Sequence, residues 1–264
     1  MRKVLLAFTT LALCCAAFGQ QTPAPVNSAA TSACSFTFTS GTNNTFLQFC
    51  VTANGNITQL ATPFAREHIA VGTIGEGYGV CDMTTNTGYY DYADFGDSGN
   101  WGPATVVSVN SSSVKIVRTT SDGVWTLTQT ISQPEGNQAV RVQMSLKNNS
   151  GTDRSIFFMR YADVDVSGTS SNNFDATANS AFGWDSSGSS TPPYGLTLQN
   201  VANTPGLTPI PFIQKTGAGP IPCNPSLNFT FGPLLATDGS VVMFYEGTIS
   251  RNRSRTVTMN YRGM

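Results

Sequence analysis

The chain has 264 residues, a formal net charge of −1, and charged side chains at only 11% of positions. That balance excludes recognition of nucleic acid by a basic surface. A neutral chain rich in Ser, Thr, Asn and Gly suits an exported β-protein with a hydroxylated surface.

The first residues read MRKVLLAFTTLALCCAAFGQ: Arg2 and Lys3, an uncharged apolar run from Val4 to Ala17, then small residues around Ala17 and Gly19. This pattern predicts a secretory signal peptide over 1–19, cleaved after Gly19. The run is too short to span a bilayer. Leu13 before Cys14 argues against a lipid anchor, and no later segment is apolar enough to be transmembrane. The expected location is therefore secreted, periplasmic or extracellular. Losing Arg2 and Lys3 takes the 14 basic residues to 12 against 15 acidic ones, a net charge near −3. About 245 residues remain, enough to bury roughly 70 to 75% of the unfolded surface in one core.

Residues 20–33, QQTPAPVNSAATSA, read as a disordered linker. A single β-domain is expected over 34–264. Beyond the signal lie four cysteines, Cys34, Cys50, Cys81 and Cys223, which in an oxidising compartment imply two disulfides. Of three pairings, CSFTFTSGTNNTFLQFC favours one: two short strands about a turn at Ser40 to Asn44 place Cys34 opposite Cys50, leaving Cys81 for Cys223.

From Cys34 onward the apolar residues alternate with period two. Strands are expected at Thr45 to Thr52, Asn56 to Leu60, Thr87 to Tyr92 and Ala104 to Val109. Ser113 to Thr120 and Val124 to Ser132 flank Ser121-Asp122-Gly123, a hairpin signal. The clearest strand is Ala139 to Lys147, with Val140, Val142, Met144 and Leu146 on one face. SIFFMRYADVDV follows, apolar on both faces at its start and so a central strand. Leu196 to Val201, Ser240 to Tyr245 and Arg255 to Tyr261 complete the set, while Asp185 to Pro225, rich in Gly, Ser and Pro, reads as long loops. With no helical stripe, the fold class is all-β: a large antiparallel β-sandwich in a single domain with long loops.

The opening NGNITQLATPFAREHI, the long hairpins and the strand ending RYADVDVSG resemble, over residues 54–166, the first half of a galactose-mutarotase-like β-supersandwich. The resemblance implies sugar handling, by epimerases or by domains beside glycosidases and lyases. Its epimerases use a histidine pair with a carboxylate base. His68 is the only histidine here, so no catalytic residue carries over.

Several stretches could carry chemistry. GDSG, Gly96 to Gly99, matches a serine-protease nucleophile loop, but His68 lies too close upstream for such a barrel, and a Gly/Ser/Asp-rich turn explains the match. GTIGEGYG, Gly72 to Gly79, has no following helix to bind phosphate and reads as a bend, with Glu76 as a candidate acid or base. Asp163 and Asp165 share a strand face about 7 Å apart and suit a metal or a sugar hydroxyl, against the alternative of a strand end entering solvent.

In YYDYADFGDSGNWG, Asp91, Asp94, Asp97 and Asn100 offer hard oxygen ligands that Ca²⁺ would accept, though not at EF-hand spacing. Tyr90, Tyr92 and Trp101 could hold a pyranose ring, against the alternative that they pack the core. Arg251, Arg253 and Arg255 would line one strand face, meeting an acidic polysaccharide or simply discouraging edge pairing.

Three functions fit these residues. The first is a secreted carbohydrate-binding protein of the cell surface or matrix, using Tyr90, Tyr92, Trp101, Asp163 and Asp165. The second is a glycosidase or lyase with a carboxylate pair drawn from Glu76, Asp163, Asp165 and Glu246. The third is a structural or adhesive exported protein without a small ligand.

Overall fold

The computed structural model describes residues 25–26, 34–69, 75–92, 96–97, 100–134, 138–188, 193–230 and 232–264. The expected signal peptide and most of the expected linker lie outside the described residues, as do Asp94, Ser98, Gly99 and the side chain of Asp97.

In chain order the strands are β1 (Pro25–Val26), β2 (Cys34–Ser40), β3 (Leu47–Thr52), β4 (Ile57–Ala61), β5 (Glu76–Asp82), β6 (Thr87–Tyr92) and β7 (Gly96–Asp97). Then come β8 (Ala104–Val109), β9 (Ser113–Thr119), β10 (Trp125–Ser132), β11 (Ala139–Asn148) and β12 (Arg154–Asp163). The last third holds β13 (Asn172–Ala176), β14 (Ser180–Asp185), β15 (Gly195–Asn200), β16 (Leu207–Gln214), β17 (Phe229–Thr230), β18 (Leu234–Thr237), β19 (Ser240–Ile249) and β20 (Ser254–Gly263).

One sheet runs β1-β8-β9-β10-β11-β20-β15-β14-β13-β18, a second runs β17-β16-β19-β12-β5-β6-β7, and a third, smaller one is β2-β3-β4. Every pairing is antiparallel, as alternating hydrophobicity without helical crossovers requires. The two large sheets share one core, with Val140, Val142, Met144, Leu146, Val257 and Tyr261 from the first against Ile156, Phe158, Val241, Met243 and Tyr245 from the second. Each such side chain, removed fully from water, contributes about 1.5–3 kcal/mol. Phe38, Phe49, Ile57 and Leu60 of the small sheet extend this core. No helix among the described residues is long and apolar enough to cross a membrane.

The β9–β10 hairpin forms at the expected place. Gly123 has φ +72°, its N–H bonds to Thr120 O at 2.8 Å, and Asp122 Oδ1 accepts from the Thr120 hydroxyl and the Val124 N–H. Both expected disulfides are present, Cys34–Cys50 and Cys81–Cys223. Disulfides fit an oxidising compartment.

Three expectations are corrected. EGYGVCD is a strand, β5, rather than a bend, and it lies between β12 and β6. The loops expected over 185–225 contain β16, whose Pro209 and Pro211 alternate beyond the reach of β17. Their missing N–H groups fall on an open strand edge, where proline is tolerated. The basic row is also broken up, since Arg251 and Arg253 lie in the β19–β20 turn and only Arg255 is in a strand.

Candidate functional site

The sequence candidates separate by the face of the seven-stranded sheet on which they lie. Glu76 points into the sandwich, fully buried, and so does not serve as an acid or base at a surface site. Its Oε1 accepts from Arg160 Nε and, at 2.8 Å, from the Tyr261 hydroxyl; its Oε2 accepts from Arg160 Nη2 at 2.9 Å and the Ile57 N–H at 2.7 Å. Burial raises the Glu76 carboxyl above its ordinary range, while the Arg160 guanidinium works against that rise. Arg160 spends its remaining N–H groups on Gln129 Oε1 (2.7 Å) and Gly55 O (3.0 Å).

Asp91 points inward as well. It accepts from Arg118 at 2.5 Å and from Asn54 Nδ2 at 2.9 Å. Asp91 is therefore an internal counter-ion rather than a ligand on the 91–100 turn. Asn100 ties that turn down, donating from Nδ2 to Gly88 O at 3.1 Å. Trp101 is 3% exposed, edge-on to Tyr78 and Tyr89, with the Arg118 guanidinium 5.5 Å from its ring centroid. It is a core residue and cannot face a sugar.

The opposite, outer face of the same sheet gathers the other candidates in cross-strand rows, because paired residues project to the same side. One row is Gln214, Ser240, Asp163. The next is Phe212, Val242, Tyr161, Gly77, Tyr92; then Ile210, Phe244, Met159, Gly79, Tyr90; then Thr208, Glu246, Phe157, Cys81, Gly88. Tyr90 stacks on Tyr92 with centroids 4.9 Å apart, and Phe157 lies 4.7 Å from Phe244. Phe212 packs between Phe229 and Phe244.

A strap, residues 215–223, crosses part of this face. Tyr92 donates to Pro220 O at 2.5 Å, and the Cys81–Cys223 disulfide ties down the far end. The strap lies close because the sheet beneath it lacks side chains: a Cβ on Gly79 would stand 3.0 Å from Pro222 Cγ. Tyr92 is consequently 2% exposed, and burial pushes its hydroxyl well above the ordinary pKa. Beyond the strap Tyr90, Phe157, Ile210 and Phe229 stay partly exposed, and Glu246 is exposed.

At the end of β12, Asp163 is 5% exposed, Asp165 is half-buried and Asp238 is exposed, with one oxygen from each lying within 4.8 Å of the others. Burial first, then the charges of Asp165 and Asp238, push the Asp163 carboxyl up to about 8. Asp165 is raised by burial and by Asp238.

Comparison with solved structures gives a likeness of shape. A bacterial glucoamylase complexed with acarbose matches with TM-score 0.58 and 12% identity, covering 92% of this chain and 34% of that one. A protein from the human microbiome assigned as a kojibiose phosphorylase matches with TM-score 0.50 and 11% identity, covering 88% of this chain and 30% of that one. A protein of Escherichia coli K12 assigned as an aldose 1-epimerase gives TM-score 0.45 at 12% identity, over 87% and 99% of the two chains. No family model and no curated protein matches. The likeness fixes the fold. It is the large antiparallel β-sandwich expected from the sequence. The chain spans about a third of the glucoamylase and of the phosphorylase.

Sequence reasoning placed Tyr90, Tyr92, Asp163 and Glu246 without seeing that they share a face, and it missed Phe157, Ile210, Phe229, Phe244 and Asp238. The signal for Phe157 was present: Phe157, Met159 and Tyr161 alternate with the core residues Ile156, Phe158, Arg160 and Ala162, which marks a strand with a second covered face.

Proposed function

We propose that the protein is an exported carbohydrate-binding sandwich, and that its sugar platform is the part of the outer face the strap leaves open, lined by the partly exposed Tyr90, Phe157, Ile210 and Phe229 over the buried Phe244, with Glu246 at its border. The observation that carries this is the group of partly exposed rings in adjoining rows of a rigid sheet beside an exposed carboxylate. Ring faces take the apolar side of a pyranose, and carboxylates accept from its hydroxyls. The acarbose-bound glucoamylase lends the fold a sugar-related context. The apolar leader and the two disulfides support export.

The enzyme alternative is less well supported. Glu246 pairs with Phe157, six residues along β12 from Asp163, so those two carboxylates lie about 20 Å apart; Asp163 and Asp165 are close enough to pair, but Asp163 is 5% exposed beneath the strap, out of reach of a glycosidic bond. Glycosidase pairs work at about 5–9.5 Å.

The test is a broad glycan array with the wild type, Tyr90→Ala and Phe157→Ala, their folding checked by circular dichroism. Hits that weaken about tenfold or more in both variants are expected, since a lost ring contact costs about 1.5 kcal/mol. An array without hits refutes the reading in favour of a structural or adhesive role. Hits indifferent to both variants refute the placement of the platform.

A further inference from the structure

The end of β12 presents an electrostatic problem that the described residues leave unsolved. Three carboxylates, Asp163, Asp165 and Asp238, approach within 4.8 Å of one another. Asp163 is almost wholly buried, and its Oδ1, like that of Asp165, has no hydrogen-bond partner among the described residues. No described Lys or Arg forms an ion pair with any of the three. A buried carboxylate is ordinarily paired, hydrogen-bonded or coordinated to a metal.

The backbone around them is held firmly. The Asp163 N–H bonds to Gly75 O, the Val164 N–H to Gly239 O and the Asp165 N–H to His68 O, so β12 and the β18–β19 turn cannot easily drift apart. The strap seals one side, since a Cβ on Gly217 would stand 2.5 Å from Asp163 Oδ2. In the same outward row, Gln214 is fully buried with both amide atoms unpartnered. The exposed Asp238 leaves a way in from solvent.

We propose that Asp163, Asp165 and Asp238 form a binding site for a hard divalent cation of the size of Ca²⁺. Oxygens bound to one Ca²⁺ at about 2.4 Å lie no more than about 4.8 Å apart, and the three oxygens here all lie within that limit. An all-carboxylate donor set without His or Cys favours Ca²⁺ over Zn²⁺. The bound cation neutralises the repulsion at the strand end and fixes the β18–β19 turn against the root of the strap. This site is distinct from the 91–100 turn and independent of the sugar platform.

The test uses the full chain with its disulfides intact, stripped with chelator and titrated with Ca²⁺ by calorimetry, alongside thermal melts. One Ca²⁺ should bind, and at a hundred times Kd the melting temperature should rise by about 5 to 10 °C. Asp238→Asn, at an exposed position that should not disturb folding, is expected to weaken binding at least tenfold, while Asp97→Asn leaves it unchanged. Asp163→Asn should abolish binding and reverse the order of stability: at least as stable as the wild type in chelator, less stable in Ca²⁺. The proposal is overturned by absence of binding at millimolar Ca²⁺. It is equally overturned if binding persists in Asp238→Asn, or if Asp163→Asn loses the same stability with and without the ion.

Discussion

Arg160→Met tests whether the buried charges are architecture or chemistry. The substitution keeps a long side chain but leaves the Glu76 carboxylate without two of its donors and deprives Gln129 Oε1 and Gly55 O of theirs. Removing one member of a buried ion pair costs about 3–5 kcal/mol, because the survivor is stranded away from water. For a domain of this size that is a fall of roughly 6 to 20 °C in melting temperature. Glu76→Gln alone strands Arg160 in the same way. The double variant Arg160→Met/Glu76→Gln strands no charge, so it should be more stable than the sum of the single effects by about 2 kcal/mol or more. Urea denaturation of the four proteins, disulfides intact and slopes compared, gives the cycle. A loss under 1 kcal/mol in Arg160→Met, or strict additivity, would refute the reading of this buried pair as architecture.

Two further outcomes follow from features outside that pair. Replacing both Cys81 and Cys223 by Ala opens a loop of 142 residues and should cost up to about 5 kcal/mol, against about 3 for the 16-residue Cys34–Cys50 loop. Limited proteolysis followed by mass spectrometry should then find new cuts within 215–222, and a strap as resistant as before would contradict its tethering role. His68, fully buried with Nε2 against Thr62 O, is held down to about 4 by burial and then by Arg66. As pH falls from about 6.5 to about 4 the unfolded chain takes up this proton before the folded one, so stability is lost across that window. The stability difference between the wild type and His68→Gln should shift by about 3 kcal/mol over the same range, and parallel pH profiles would refute the assignment.

The sequence made some of this legible and concealed the rest for definite reasons. The Ala139–Asn148 and Trp125–Ser132 strands were plain because one face is core and the other solvent, so hydrophobicity alternates cleanly. The pairing of Cys34 with Cys50 followed from a local hairpin. β5 was hidden because Gly77 and Gly79, which here make room for Tyr92 and for the strap, look the same as turn glycines. β16 was hidden because Pro209 and Pro211 break the strand signature unless the open edge is known. Asp91 and Glu76 looked like site residues because a charge in a sequence does not announce its partner: Arg118 and Arg160 come from distant strands. Asp238 joins Asp163 only through the β12–β19 pairing, a contact no local pattern encodes.

The strap is anchored at one end by the backbone pairing of Gln214 with Ser240 and at the other by a covalent link to β5. A short segment fixed at both ends can bow without escaping. The side chains it turns to solvent, Lys215 and Ile221, are therefore free to change while the sheet below stays intact, which makes them the place where members of a lineage could diversify what the aromatic surface admits at little risk to folding.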